Sequence, residues 1–483
     1  MNSRIPMLEA LRVHLQTNPL PLHVPGHKMG RGFPMDAAPW LGQALRLDLT
    51  ELPGLDDLHQ PSGAIREAQE LAAETFGSEE TYFLVGGSTA GNMAMILTAC
   101  RPGESIIIPR NAHKSVHNAI VLAGARPTYL YPEVDRQFGI PTEITVQEVR
   151  RALEENPDAQ AVMLTSPTYQ GICSDIAAIA AEVHGRGKLL LVDEAHGAHF
   201  SFHEKLPVSA IRLGADLVVQ STHKMLGSLT GSAMLHGKHG RYDGERLRTM
   251  LGMVQTSSPS YLMLLSLDAV RHEMATRGRG LLDEALEALD VGRNEVNKLS
   301  GLTLYEGKNI TSGVDPFKWW IQVEGLGLNG FDAEELLRAR KGIFFEMADE
   351  AHLLAVFSYA DTQKQVNRLV EGLRFLAETR ADHLASGAGK RNRPVFPQPH
   401  FRLEQAALPK DALHGLRRRV KLEVATGQVA AEPVIPYPPG IPLILPGERY
   451  TSELVEYLQG MKQIGARFQG TVDPTVEYVR VLE

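Results

Sequence analysis

Between about residue 60 and residue 240 the sequence alternates short, nearly continuous apolar runs with longer helical patterns. No other feature constrains the fold as strongly. The runs are Ser105-Ile-Ile-Ile-Pro109, Ala161-Val-Met-Leu-Thr165, Lys188-Leu-Leu-Leu-Val-Asp193 and Asp216-Leu-Val-Val-Gln220. A strand facing solvent on one side alternates apolar with polar residues, whereas a strand covered on both faces of a parallel sheet is apolar throughout. Helical segments lie between them over 114–124, 144–155 and 175–185, and glycine or proline marks most joins. Repeated strand–helix alternation predicts a doubly wound α/β domain, which binds its ligands at the carboxyl ends of the strands.

Beyond residue 240 the pattern changes. Residues 258–300 read as largely helical, and 311–380 as a smaller strand–helix–strand–helix unit. The stretch 381–399, rich in small, polar, basic and proline residues, reads as a linker. The proline-dense run Val434–Gly447 is barred from a central strand and predicts ordered loop with edge strand. With 43% hydrophobic residues in 483, wholesale disorder is excluded. Forty-nine basic against fifty-seven acidic residues give a net charge of −8, with none of the basic excess of a general nucleic-acid binder. Two cysteines, Cys100 and Cys173, cannot form a disulfide scaffold and fit a reducing compartment. No apolar run is long enough to span a membrane, and the amphipathic N-terminus is no signal peptide. The expectation is a soluble, cytoplasmic, multidomain protein with neither nucleic-acid nor membrane partners.

Three constellations can carry chemistry. Gly86-Gly-Ser-Thr-Ala-Gly-Asn92 precedes an apolar helix read over Met93–Cys100. There, backbone N–H groups and the hydroxyls of Ser88 and Thr89 would cradle an anion, although an ordinary capped helix fits the same residues. The strand through Leu191 ends on Asp193-Glu194-Ala195-His196-Gly197. A carboxylate at that tip can hold a ring nitrogen protonated, bind a metal or cap a helix. Gln220-Ser-Thr-His-Lys224 sets a lysine directly after a buried strand. Its amine can form a Schiff base, although most lysines are surface charges. A phosphate cradle, a strand-end aspartate and a lysine 31 residues later together match the needs of a fold-type-I pyridoxal 5′-phosphate enzyme. His113, in Asn111-Ala-His113 just after another strand, suits the face of a pyridine ring.

These residues make the chain recognisable. It resembles the short form of the bacterial Orn/Lys/Arg decarboxylase family in His23-Val-Pro-Gly-His-Lys28, Asp56-Asp-Leu-His59, Gly87-Ser-Thr89 and Pro109-Arg-Asn-Ala-His-Lys-Ser115. The resemblance continues through Asp193-Glu-Ala-His-Gly197, Ser221-Thr-His-Lys224, Gly342-Ile-Phe-Phe-Glu346, Tyr437-Pro-Pro-Gly-Ile-Pro442 and Pro446-Gly-Glu448. It implies a large, aspartate-aminotransferase-like α/β domain with a mostly parallel sheet (61–300), following an N-terminal arm (1–60). A small α/β domain (301–380) and a C-terminal α+β domain (381–483, after the linker) complete the chain. By resemblance, Lys224 would hold the cofactor covalently, Asp193 would pair with its ring nitrogen, His113 would stack on the ring and Ala195 would pack on the other face. Ser88, Thr89, Ser221 and His223 would bind phosphate, with Ala90 and His196 completing the cofactor set and His223 counted among the catalytic residues. Glu346, with Asp349, would meet the distal cation of the substrate.

The implied reaction is decarboxylation of a basic L-amino acid, arginine slightly ahead of lysine or ornithine, to an amine that is a polyamine precursor. The resemblance further implies a homo-oligomer, at least a dimer, with a shared active site that the loop Gln255-Thr-Ser-Ser258 would help to complete. Only 22 residues precede His23, which leaves no room for the wing of longer relatives. A dimer or tetramer is therefore expected rather than a wing-built decamer.

Other readings remain open at this point. An aminotransferase or lyase shares the cofactor site, and an inactive paralogue or sensor shares the fold. Gly325-Leu-Gly-Leu-Asn-Gly330 fits a dinucleotide fingerprint, with Asp349 and Glu350 about 20 residues on, and so admits a nicotinamide-dependent oxidoreductase. Phe331-Asp332 there reads instead as a fresh helix cap after a simple turn. His113 with His117, and His196 with His199 and His203, raise a metal site. The first pair has Lys114 where H-E-x-x-H requires glutamate, and the second mixes its spacings, so no metal is expected.

Overall fold

The computed structural model describes residues 3–379, 401–436, 441–463 and 466–483. The linker expected at 381–399 and part of the Tyr437–Pro442 motif lie outside them. Two compact units emerge, one from residues 1–99 with 183–283, the other from 100–182 with 284–483. Each unit joins segments that are distant in the chain.

In the first unit four strands lie in the order Glu80–Leu84, Ala233–Gly237, Leu217–Gln220, Leu189–Asp193. The first two junctions are antiparallel and the last is parallel, with Asp193 opposite Val219. Every residue of Leu217–Gln220 is buried, as its unbroken apolar character requires. The parallel register matters most for the site: Asp193 and Gln220 end their strands at the same edge, so the residues following each emerge side by side. The helix Gly87–Ala99 packs against this sheet, and Gly91 is its point of closest approach. A Cβ there would lie 2.4 Å from Cγ2 of Val219 and 2.9 Å from Cδ1 of Leu84.

This helix begins six residues earlier than its sequence predicts. Gly87 adopts φ +68°, turning the chain, and Ser88 to Asn92 form the first turns in place of a loop. A run of glycine, serine and threonine has poor intrinsic helix propensity, and packing on the sheet overrides it.

In the second unit Ala161–Thr165, Ser105–Pro109 and Arg126–Leu130 lie side by side, all parallel. A separate antiparallel sheet has the order Thr303–Leu304, Lys318–Gln322, His352–Val356, Met347–Ala348. Its core joins Phe138, Ile172, Tyr305, Trp320 and Leu354. Near the C-terminus, Arg417–Lys421 pairs antiparallel with Tyr478–Leu482, and Ile435–Pro436 with Phe468–Gln469. A further core of Val420, Leu422, Val434, Ile444, Tyr450, Leu454 and Leu458 lies beneath them.

The antiparallel sheet disposes of the dinucleotide fingerprint, which needs a parallel strand–helix–strand crossover. Both strands flanking Lys318–Gln322 run against it. The glycines answer to packing instead: a Cβ on Gly330 would lie 2.2 Å from the carbonyl oxygen of His352, and one on Gly325 2.7 Å from that of Gly301. The following helix, Gly330–Lys341, is capped by Asn329, whose side chain accepts from the Asp332 N–H, so the cap falls just before the Phe331-Asp332 pair expected from sequence. Among the described residues no helix is long and apolar enough to cross a membrane.

Candidate active site

The edge at which Leu189–Asp193 and Leu217–Gln220 end gathers most of the residues singled out by sequence. Asp193 is 3% exposed and its two oxygens are held separately. Asn92 Nδ2 donates to Oδ2 at 2.8 Å, and the Ala195 N–H donates to Oδ1 at 3.1 Å. Both are neutral donors, so the carboxylate is oriented while lone pairs remain for a further partner. Asn92 escapes sequence reasoning as a site residue. The available signal is an amide in an otherwise apolar helix, one turn beyond Ser88.

The parallel register carries the chain from Gln220 into a short helical turn, Thr222–Met225, with Ser221 at its N-cap. Hydroxyls brace it: Thr222 Oγ1 donates to the Ser232 carbonyl at 3.2 Å, Ser228 Oγ to Thr222 Oγ1 at 2.8 Å and Ser232 Oγ to Ser228 Oγ at 2.7 Å. Lys224 is exposed, and its Nζ lies 3.2 Å from Nε2 of the buried His196. An ammonium can only donate, so His196 accepts at Nε2 and carries its own proton on Nδ1. His223 is half-buried, and its Nδ1 donates to the Ser232 carbonyl at 2.7 Å. Burial holds this imidazole below its ordinary pKa, with that hydrogen bond opposing and the Lys224 charge reinforcing the shift.

Ser88 is half-buried and Thr89 exposed in the first turn of the Gly87–Ala99 helix, with Ala90 buried behind them. The Ser221 hydroxyl is fully buried and, among the described residues, has no hydrogen-bond partner. An orphaned buried hydroxyl is costly unless a ligand satisfies it. A helix N-terminus, this hydroxyl, an oriented carboxylate and a lysine amine suit the phosphate, ring nitrogen and aldehyde of pyridoxal 5′-phosphate. The loop Gln255–Ser258 lies beside the same edge: Gln255 Oε1 accepts from the Val85 N–H at 2.9 Å, and the Thr256 carbonyl lies 2.8 Å from His59 Nε2.

The remaining candidates belong to the second unit. His113 is exposed and caps the helix Lys114–Ala123, its Nδ1 lying 2.9 Å from Ser115 Oγ. Glu346 is exposed and accepts from the phenol of Tyr169, which sequence reasoning did not single out. Asp349 is committed to the turn before His352–Val356, where Oδ1 accepts from the N–H groups of Ala351 at 2.8 Å and His352 at 2.7 Å.

The histidines raised as metal ligands have other surroundings. His117 is buried near Tyr129, with ring centres 6.2 Å apart, and His203 Nε2 lies 2.8 Å from Asp283 Oδ1. Among the described residues no three His, Cys, Asp or Glu side chains are arranged to hold a metal ion.

Comparison with known proteins gives the family. Residues 5–312 match the family model of the Orn/Lys/Arg decarboxylase major domain, and residues 392–476 that of its C-terminal domain. An arginine decarboxylase of Bacillus subtilis is 38% identical over 99% of this chain and 98% of its own length. The constitutive lysine decarboxylase structure from E. coli aligns over 100% of this chain and 82% of that one, with a TM-score of 0.86 at 23% identity. An alanine–glyoxylate aminotransferase structure from Nostoc aligns over 66% of this chain and 88% of that one, with a TM-score of 0.55 at 17% identity. The fold is thus shared with transaminating enzymes and does not by itself choose a reaction. The family match does, and on it the chain belongs to the Orn/Lys/Arg decarboxylases, enzymes that remove the carboxyl group of an amino acid.

Proposed function

We propose that the protein decarboxylates a basic L-amino acid, arginine ahead of lysine or ornithine, using pyridoxal 5′-phosphate carried on Lys224. The observation that carries this reading is Asp193, held by Asn92 and Ala195 at the edge where the Ser221–Lys224 turn begins. When bound, the cofactor supplies an electron sink for the pair left at the substrate Cα as CO2 departs. Asp193 serves that sink by keeping a proton on the ring nitrogen. His196 Nε2, 3.2 Å from Nζ, is the acceptor for the proton that Lys224 must shed before its amine can react. The helix N-terminus with Ser88 and Thr89, and the Ser221 hydroxyl, would hold the cofactor's phosphate. His223, whose Nδ1 proton is used by Ser232, donates to phosphate only as the doubly protonated imidazolium, which a bound dianion would favour. Ala90 and Ala195 would line the ring, and His113 would stack on it.

Glu346 is the carboxylate for the distal cation. Its Tyr169 partner orients it, and a guanidinium can meet a carboxylate with two parallel hydrogen bonds where an ammonium makes one point contact. Asp349, already engaged by two backbone donors, we assign to its turn instead. Arginine is favoured because the Bacillus subtilis relative, at 38% identity, carries that name. The same reading makes the product a polyamine precursor. It makes the protein a homo-oligomer, supported by exposed Leu20, Leu22, Met35 and Trp40 along the N-terminal segment, apolar surface that a second copy would cover. Two cysteines buried as thiols are in keeping with the cytoplasm.

The test is a panel of carboxyl-labelled arginine, lysine and ornithine given to the cofactor-loaded enzyme, with CO2 counted and the product weighed. Labelled CO2 and agmatine from arginine, abolished in Lys224→Ala, are expected. A keto acid in place of CO2 would make the enzyme a transaminase, and full activity in Lys224→Ala would overturn the assignment of the lysine.

A further inference from the structure

Glu194 follows Asp193 in the chain but turns away from Asn92 into a second polar network. It is 1% exposed. Its Oε2 accepts from Ser209 Oγ at 2.7 Å and Gln220 Nε2 at 2.6 Å, and its Oε1 accepts from the Ala210 N–H at 2.7 Å. Gln220, fully buried, has its Oε1 3.2 Å from Nε2 of His236, also fully buried. Nδ1 of His236 lies 2.8 Å from Thr81 Oγ1 and 3.5 Å from Ser78 Oγ. Among the described residues no cation pairs with Glu194. Its neighbours fit closely: a Cβ on Gly197 would lie 2.6 Å from Glu194 Cγ.

The hydrogen positions along this chain follow from one fact. An ionised carboxylate only accepts, so the Gln220 amide must turn its NH2 toward Glu194 and its oxygen toward His236. His236 must then carry its proton on Nε2, which leaves Nδ1 to accept from the Thr81 hydroxyl. Burial drives His236 down to about 3, so the ring holds a single proton and cannot satisfy both neighbours as a donor. Gln220 is also the last strand residue before the Ser221–Lys224 turn.

We propose that Glu194 is a positioning residue for Lys224: its carboxylate orders Gln220 and His236 and thereby holds the strand end from which the lysine turn starts. The inference rests on the reading of Lys224 as the cofactor lysine only in its functional part. Burial pushes Glu194 up to about 7, with Ser209, Ala210 and Gln220 pulling the other way, so the order responds to pH near neutrality. The groups facing it are Ser209 and the Ala210 N–H from their loop, Gln220 from its strand and Gly197 from the following turn. Behind these stand His236 through Gln220, and Asp193 through the chain. Once Glu194 takes a proton it can donate as well as accept, and Gln220 is no longer held to one orientation.

The experiment follows the ring nitrogens of His236 by 15N nuclear magnetic resonance in histidine-labelled protein, assigned with His236→Gln. In the unsubstituted protein without cofactor, the Nε2–H tautomer is expected at pH 8.5, with a change of ring shifts centred near pH 7 as Glu194 titrates. Glu194→Gln should convert His236 to Nδ1–H at pH 8.5 and remove the pH step, because its amide nitrogen forces Gln220 to flip. An Nδ1–H tautomer at pH 8.5 in the unsubstituted protein overturns the proposal whether or not the variant folds. With pyridoxal 5′-phosphate bound, retention on dilution should strengthen about 10-fold from pH 6 to 8, and Glu194→Gln should lack that increase. Bound cofactor with retention of the same pH profile in both proteins also overturns the proposal. Failure to take up the cofactor at any pH would instead count against the Lys224 reading, and the tautomer measurement then decides for Glu194.

Discussion

Asn92 and Asp193 meet through a single 2.8 Å hydrogen bond, from an amide one turn into the Gly87–Ala99 helix to a carboxylate at the tip of a strand. The amide fixes the rotation of the carboxyl group, and it does so without charge. Asn92→Leu keeps the volume and removes the donor. Loss of a hydrogen bond to a charged group is worth about 1.5–3 kcal/mol, so pyridoxal 5′-phosphate affinity or turnover should fall about 10- to 100-fold, with some loss of melting temperature as well. Asn92→Asp should be worse at pH 8, because two carboxylates would face each other, and should improve as the pH falls. Equal affinity in all three proteins by absorbance titration would remove Asn92 from the site.

Gly91 tests the same helix from its buried side. A methyl group at this position would overlap Val219 and Leu84, and both belong to the sheet that ends at the site. Gly91→Ala should displace the helix N-terminus from the strand edge, costing about 1–3 kcal/mol of stability as overpacked core substitutions do. Cofactor affinity should weaken as Ser88 and Thr89 move from the Ser221 hydroxyl. A denaturation midpoint and cofactor affinity both equal to those of the unsubstituted protein would show that the helix sits elsewhere.

How far the sequence reaches is clear from these residues. The strand ends at Asp193 and Gln220 are readable because an unbroken apolar run closed by a polar residue is a local signal. The early start of the Gly87–Ala99 helix is not, since Gly-Ser-Thr-Ala-Gly favours a loop until a sheet is there to pack against. Glu194 looks interchangeable with Asp193 on paper. Only the fold shows that one carboxylate meets an amide 101 residues earlier while the other meets Gln220, 26 residues later. Asp349 reads from sequence as a site acid, and the fold adds that its Oδ1 accepts from two backbone N–H groups of its turn. Partners distant in sequence leave no periodicity, so roles set by them stay hidden.

Arg110 and Glu448 supply a prediction about stability in the second unit. Their side chains are 6% and 1% exposed and meet at 2.9 Å, while Arg110 also donates to the carbonyls of Pro442 at 2.8 Å and Leu443 at 3.0 Å. Glu448 in turn accepts from the Leu445 N–H at 2.8 Å. Removing either partner strands a buried charge, so Arg110→Met or Glu448→Met should each cost about 3–5 kcal/mol. The double replacement Arg110→Met with Glu448→Met should recover much of that loss, since neither charge then needs desolvation. Urea denaturation of the four proteins closes the cycle. Strict additivity would mean that the two groups do not interact.

His117 makes the acid response of the second unit predictable. Burial first, and then the charge of Arg110, hold its imidazole down at about 3, against an ordinary value of 6.5. The unfolded chain takes up a proton near 6.5 and the folded chain does not. The stability associated with this neutral ring is therefore complete above about pH 6.5 and is lost as the pH falls toward 3. At pH 5 the loss from one such histidine is about 2 kcal/mol. His117→Leu keeps the site apolar and removes the titrating group, so between pH 7.5 and 5.0 its denaturation midpoint should fall less than that of the unsubstituted protein. His236, held low by burial in the first unit, adds a second proton of the same sign and remains in the variant, so the curve should be flattened without becoming level. An identical drop in both proteins over that interval would mean that the imidazole of His117 is protonated in the fold.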